Sequence, residues 1–270
     1  MSAVIPVSAD WLSLREPVDA RSRSLALVEN AGRMLRPPLT IHDLGSGTGS
    51  MMRWLAPLLP GPQTWVLHDW NEELLRHAAA TAAIDAAGRS VEVQTRVGHL
   101  AELREADVAG ASLVVTSALL DVLAAPEVEA IVRACVTAAV PALLALSVRG
   151  TVELDPARPE DAVFEASFND HQRRSADGRT LLGPDAVDVA AHLFAESGWT
   201  VSFDSSPWRL GPGDGELTAE WLDGWVGAAV EQRPELAATA REYLLQRRAE
   251  REAGLLSAVV HHTDLLAWPP

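Results

Sequence analysis

Three glycines at alternate positions, Gly45, Gly47 and Gly49, follow an aspartate, Asp43, in the stretch T-I-H-D-L-G-S-G-T-G-S-M-M-R-W-L over residues 40–55. A short β-type run ends at Asp43, and an amphipathic segment opens directly behind Gly49. Glycine at such a turn permits positive φ and lets a ligand reach the backbone without meeting a Cβ. The free N–H groups at a helix start, Ser46 of the turn among their neighbours, favour an anionic or polar group. The chemistry implied is the binding of a nucleotide-like cofactor. A dinucleotide fingerprint needs G-x-G-x-x-G, and here the third glycine comes one residue early, with Ser50 in its place, which disfavours a nicotinamide cofactor. Asp69 lies about 20 residues beyond Gly49, at the tip of the next apolar run, where a carboxylate accepts hydrogen bonds from ribose hydroxyls. Trp70 beside it is suited to pack on a base or to fill the core.

Residues able to act on a substrate fall further along. Ser117, Ala118 and Asp121 end the fourth apolar run, and that end of a doubly wound sheet borders the place where cofactor and substrate meet. Asp121 serves equally as a helix cap. The segment F-N-D-H-Q-R-R (168–174) crowds Asn169, Gln172 and Arg173 around His171. A neutral histidine can take a proton near physiological pH, while the amides and Arg173, together with Arg15 near the N-terminus, suit an oxygen-rich or carboxylated acceptor. His171 and Asp121 are thus the catalytic candidates, against a plain solvated helix start. No metal is expected: Cys135 is the only cysteine, and His261 and His262, adjacent on a strand, point to opposite faces.

The elements that must position these groups follow from periodicity. Residues 9–35 carry helical spacing and are ended by Pro37 and Pro38. Strands are expected at 40–43, 64–68, 91–97, 113–116, 143–149 and 199–203, with a last one at 255–268. Helices are expected at 50–59, 72–87, 122–139 and 184–197, and a further pair at 217–230 and 234–253. Residues 150–182 read as a long irregular loop at the substrate end of the sheet, where such loops are usually functional.

The chain has 270 residues, 48% apolar, enough for one large core. Its formal charge is −15, and its 22 basic side chains are all arginine. So acidic a surface repels phosphate backbones and anionic headgroups, so neither nucleic acid nor membrane is an expected general partner. The most apolar stretch, 134–148, is too short to span a bilayer and contains Pro141. The first ten residues lack the pattern of a signal peptide, and a cytoplasmic location is expected. The wealth of Ala, Arg, Gly and Pro without lysine suggests a GC-rich genome.

D-x-G-x-G-x-G resembles motif I of the class I S-adenosylmethionine-dependent methyltransferases, and the F-N-D-H-Q and W-L-x-L-R-E-P segments are similar to a bacterial group within them. The resemblance implies an α/β, Rossmann-like, doubly wound sheet of seven mostly parallel strands with the last antiparallel. Residues 1–38 would form an N-terminal helical lid, and 39–270 the methyltransferase domain with a helical insertion at about 215–254. It implies S-adenosylmethionine as cofactor and S-adenosylhomocysteine as product. Asp43 would hold the cofactor's ammonium, the turn from Gly45 to Gly49 would lie under its amino-acid part, and Asp69 would bind the ribose. Gly98, His99 and Leu100 would flank the adenine, Ser117 would border the methyl, and Arg15, Arg21 or Arg23 would reach the carboxylate. The N-P-P-Y signature of enzymes that methylate planar amino groups is absent, which points to a small-molecule acceptor, methylated on O or N, in secondary metabolism. A non-catalytic cofactor-binding module working in a protein assembly is the alternative. The helical pair would then serve a partner, or a homodimer.

Overall fold

The structure, a computed structural model, describes residues 7–176 and 178–270. The first six residues, on which the signal-peptide reading partly rests, lie outside that description. The elements in chain order begin with two helices, α1 (Ala9–Ser22) and α2 (Leu25–Met34), then β1 (Leu39–Leu44), α3 (Ser50–Leu55), β2 (Gln63–Asp69), α4 (Glu72–Ala79) and β3 (Glu92–Val97). A short α5 (Glu105–Val108) leads to β4 (Leu113–Ser117), α6 (Ala125–Ala138), β5 (Ala142–Asp155) and α7 (Pro159–Gln172). A small hairpin, β6 (Ser175–Ala176) and β7 (Arg179–Thr180), precedes α8 (Ala186–Glu196), β8 (Thr200–Ser205) and β9 (Trp208–Leu210). The chain ends with α9 (Gly215–Gln232), α10 (Ala237–Glu252) and β10 (Ser257–Trp268).

The main sheet has the order β3-β2-β1-β4-β5-β10-β8, with β10 antiparallel to β5 and β8 and the pairings from β3 to β5 all parallel. This is the expected seven-strand sheet. An eighth strand not expected from the sequence, β9, pairs with the first part of β10. The central strands β1 and β4 are buried on both faces, as parallel strands covered by helices must be, so their apolar residues run continuously rather than alternating. The strand order reverses between β1 and β4, and there a crevice opens beyond the carboxyl ends of the strands.

Several boundaries differ from the sequence reading. The periodic run 9–35 is two helices, because Ser24 leaves the helical region and its hydroxyl accepts the Leu27 amide at 3.1 Å as a cap. The helix expected at 72–87 stops at Ala79. There the following turn is captured by Asp85, whose carboxylate accepts from the amides of Ala87 (2.8 Å) and Arg89 (3.0 Å), while Ala86 donates to Leu59 O. The loop expected at 150–182 is largely ordered: β5 continues to Asp155 and α7 follows directly. Strand β5 is this long because β10 pairs with it along its whole length, so a ribbon of β5 and β10, edged by the short β9, projects beyond the sheet.

On that ribbon sits a second core. Phe164 and Phe168 of α7 meet Trp225 of α9, and Phe164 packs 4.6 Å from Tyr243 of α10. Fully buried Arg247 is paired with Asp161 and Glu250 and donates to Pro156 O at 2.6 Å, so its charge is compensated inside the helical layer. The insertion expected at about 215–254 is thus one part of a larger layer that includes α7. Among the described residues no helix is long and apolar enough to cross a membrane.

The two N-terminal helices are fixed to the sheet through Asp264 of β10. Its buried carboxylate accepts from the Ser24 amide (2.8 Å), the Leu146 amide (2.7 Å) and the Ser206 hydroxyl (2.5 Å). Leu146 has a φ of +54°, a strained value held by this bond. Asp264→Ala leaves three buried donors unpaired, and a loss of about 3 kcal/mol in urea denaturation is expected; a loss within error of zero would remove Asp264 from this role.

Candidate functional site

The turn after β1 is built by its three glycines, which have φ of +68°, +54° and +82°. A Cβ on Gly45 would stand 2.7 Å from Leu119 Cδ1, and one on Gly47 3.1 Å from Leu12 Cδ1. The glycines therefore meet both required conditions, backbone conformation and close approach. Gly49 is the cap of α3. The turn is locked to the tip of β2: the Gly47 amide donates to Asp69 Oδ2 at 2.9 Å, and the Asn71 amide to Asp69 Oδ1 at 2.9 Å. Each oxygen retains a lone pair for a further donor, while burial raises the Asp69 carboxyl and the amides of Asn71, Gly47 and Trp70 oppose that rise.

Around this turn lies an enclosed cleft of about 270 Å³. Asp43, Gly45, Ser46, Gly47 and Asp69 line its floor, and Trp70, Gly98, His99 and Leu100 one end. Ser117, Ala118, Leu119, Leu123, Arg174 and Leu181 line the other end, and Trp11, Leu12, Arg15 and Asp19 of α1 close it from above. Helix α1 is tied down across the turn by the Glu16–Arg53 ion pair, 2.7 Å at Nε. A larger open groove, about 950 Å³, lies on the helical layer between Trp11, Phe168, Trp221 and Trp225. It touches none of the glycine turn, so size does not make it the cofactor site.

Two buried charged groups keep polar atoms without partners, Asp43 in the lining and Arg23 outside it, the latter also 4.0 Å from Asp19. Asp43 is 1% exposed, and neither carboxylate oxygen has a hydrogen-bond donor among the described residues. Burial pushes its carboxyl up to about 7, with Arg23 opposing the shift and Asp69 adding to it. Arg23 is 3% exposed; its Nη2 donates to Ser117 Oγ (2.9 Å) and Ser50 Oγ (3.1 Å), its guanidinium stands over Trp54, and Nη1 has no acceptor. An unpaired carboxylate beside an unpaired guanidinium N–H matches the ammonium and carboxylate of an α-amino acid. Asp69 with its free lone pairs matches a vicinal diol.

The expected acceptor residues are placed differently. Because residues 169–172 end helix α7 rather than forming a loop, Asn169, His171, Gln172 and Arg173 do not line the cleft. The Asn169 amide donates to Gly150 O at 2.8 Å, Arg173 pairs with Asp185 at 2.6 Å, and Gln172 donates to Asp121 at 3.3 Å. Asp121 also stands outside the lining, one residue from Val122, which belongs to it. His171 lies between Glu231 (3.3 Å) and Arg174 (3.2 Å); burial and then Arg174 lower its pKa, so it is neutral at physiological pH. Of the three arginines considered for a carboxylate, Arg23 reaches the turn. Arg15 is bidentate to Asp19 over the Trp208 ring, and Arg21 pairs with Asp214. Trp11, Leu12 and Asp19 belong to no motif, although Trp11, Arg15 and Asp19 recur at four-residue spacing, which places them on one helix face. Among the described residues no cluster of three or more His, Cys, Asp or Glu is arranged for a metal. His261 meets Glu153 at 2.7 Å, and buried His262 contacts Val260 O.

No family model and no curated protein matches the sequence. Solved structures do match. A mycolic acid cyclopropane synthase, CmaA1, crystallised with SAH and CTAB, is 14% identical with a TM-score of 0.53, over 97% of this chain and 94% of that one. The cyclopropane synthase MmaA2 from Mycobacterium tuberculosis is 13% identical with a TM-score of 0.52, over 97% and 95%. At this identity the likeness establishes the fold, that of the class I methyltransferases.

The unpaired Asp43 sets a test that needs no ligand. A carboxyl raised from 3.8 to about 7 costs stability once ionised, and that cost fades as pH falls from 7 toward 3.8. Asp43→Asn is therefore expected to melt above the parent at pH 8, by up to about 4 kcal/mol, and to lose the advantage near pH 4. A parent at least as stable as the variant at pH 8 would show that Asp43 is paired.

Proposed function

We propose that this chain, on its class I methyltransferase fold, binds S-adenosylmethionine in the glycine-turn cleft and transfers its methyl to a small-molecule acceptor. The observation that carries the proposal is the pair of buried groups with unpartnered atoms, the Asp43 carboxylate near the end of β1 and Arg23 Nη1 at the α1–α2 break, close to the turn that Asp69 locks. Asp43 takes the ammonium, Arg23 the carboxylate, and Asp69 the ribose hydroxyls. Trp70, Gly98, His99 and Leu100 flank the adenine. Asp43, Asp69, Trp70, Gly98, His99 and Leu100 all line the one cleft, which supports this reading.

The bound cofactor supplies an electrophilic methyl on a sulfonium, so the chain must chiefly align the acceptor and exclude water. Helix α1 performs the exclusion: Leu12 lies over Gly47, and Trp11 and Arg15 roof the acceptor end. That end presents Leu119, Leu123 and Leu181 together with Arg174, an apolar slot with one cationic margin that suits a small acceptor carrying oxygen or nitrogen. Among the acidic groups of the lining, Asp19 is held by Arg15 and Trp208, and Glu127 by Arg179. Alignment is accordingly the larger contribution. Where an acceptor arrives protonated, Asp121 and His171 stand behind the lining, next to Val122 and Arg174, and are the bases available. Their position outside it also favours a second reading, a cofactor-binding module without turnover. Tight cofactor binding with no methyl transfer to any of a broad acceptor panel would decide for that reading.

Calorimetry with S-adenosylmethionine and S-adenosylhomocysteine is expected to show binding, weakened roughly 10–100-fold in Asp69→Ala and Arg23→Ala. Below pH 7 the ammonium must displace the Asp43 proton, so affinity should fall by up to about tenfold per pH unit in the parent. In Asp43→Asn it should be weak and independent of pH. The absence of binding heat for both ligands at several temperatures would overturn the proposal.

A further inference from the structure

The open groove of about 950 Å³ on the helical layer has no part in the cofactor site. Three helices line it with aromatic rings: α1 gives Trp11, α7 gives Phe168, and α9 gives Trp221 and Trp225. The two α9 rings stack at 5.6 Å and 19°, and Phe168 meets Trp225 at 6.5 Å. Trp11, Phe168 and Trp221 are only half-buried, so their rings keep surface open to the groove. A Cβ on Gly224 would meet nothing within 4 Å, which leaves room along the α9 wall. Grooves of this size with aromatic walls and a few polar groups are typical of small-molecule sites.

The polar groups of the same lining do not satisfy one another. Trp225 is 2% exposed, yet its Nε1–H has no acceptor among the described residues. The buried Nε–H of Arg251 has none either, while its Nη1 donates to Gly215 O at 3.2 Å. Glu216 and Glu220 lie one turn apart on α9, a helix without a basic residue, and neither has an ion-pair partner among the described residues. The third carboxylate of the lining, Asp223, is held by Arg248 through both oxygens at 3.0 Å. Like charges at a spacing of four oppose helix formation, so folding alone does not favour Glu216 with Glu220. We propose that this groove binds an aromatic amine in its protonated form. Its ring packs among the tryptophans and its ammonium is held by Glu220 and Glu216, while an oxygen substituent accepts from the idle N–H groups of Trp225 and Arg251. Indole faces attract both rings and cations. The two free carboxylates outweigh the one guanidinium of the lining, and the net charge of −15 adds to the attraction for a cation. An anion of the same shape is repelled. Trp11 is the one residue common to the groove and the cleft, and the glycine turn lies outside the groove. The groove can therefore be occupied whether or not the cleft holds a cofactor.

Calorimetric titration of the full chain at pH 7 with tyramine, 4-ethylphenol and 3-(4-hydroxyphenyl)propionate tests it, since the same phenol ring then carries a cation, no charge and an anion. Tyramine is expected to bind about tenfold more tightly than 4-ethylphenol, and the propionate to give no binding heat. The double variant Glu216→Gln, Glu220→Gln should bring tyramine down to the affinity of 4-ethylphenol. Trp221→Leu should weaken both ligands, because it removes a wall they share. Glu216 and Glu220 are exposed, so unchanged circular dichroism and melting serve as the folding control for the double variant. No binding heat with tyramine at several temperatures, equal affinity for tyramine and 4-ethylphenol in the parent, or a preference for tyramine that survives loss of both carboxylates would overturn the proposal.

Discussion

The buried carboxylate of Asp264 is the point from which the geometry of the cleft follows. It gathers the amide at the α1–α2 break, the strained Leu146 of β5 and the hydroxyl of Ser206 onto one strand. Because Ser24 is pinned there, its neighbour Arg23 is carried under α1 to the hydroxyls of Ser117 and Ser50, beside Asp43. Helix α1, the end of β4 and the glycine turn thus share one anchor more than 200 residues away in sequence from the turn it supports. Such buried charged networks hold only while each donor is satisfied, which makes their geometry nearly all-or-none.

Against that order, the cleft keeps groups that folding alone would not leave as they are. An unpaired carboxylate with its pKa raised to about 7, and a guanidinium with one idle nitrogen, oppose stability in the free protein. They persist because the surrounding core is large enough to hold them, with Ile41, Leu44, Met52, Trp65 and Leu67 packed around the turn and its strands. The pattern is consistent with the proposed binding site, where polar groups would wait for complementary charge instead of relaxing toward each other.

The helical layer answers a different constraint. Strands β5 and β10, with the short β9, outrun the sheet, and so narrow a ribbon with neither face covered is marginal in water. Helices α7, α9 and α10 cover it with an aromatic core of Phe164, Trp225 and Tyr243, and the buried Arg247 fixes their order. This layer also turns the end of α7 away from the cleft. The histidine, amides and arginine of F-N-D-H-Q-R-R therefore meet Glu231, Gly150, Asp121 and Asp185 rather than the cleft.

The sequence by itself determined the sheet and the floor of the cleft, because both are local. Glycines at 45, 47 and 49 dictate a turn through their own φ angles, Asp43 and Asp69 end adjacent strands by spacing alone, and apolar runs mark the strands. It also carried the antiparallel final strand, by resemblance. What only the tertiary structure decided are relations between distant segments. Residues 150–155 and 159–172 became strand and helix because β10 and α9 supply partners that no local pattern reveals. Residues 80–87 left their helix because Asp85 captured the turn after them. Arg23, rather than Arg15 or Arg21, reached the turn because Asp264 fixes the break between two helices that periodicity runs together. Local propensity is a weak preference, and burial and hydrogen bonds across the fold outweigh it wherever the two conflict.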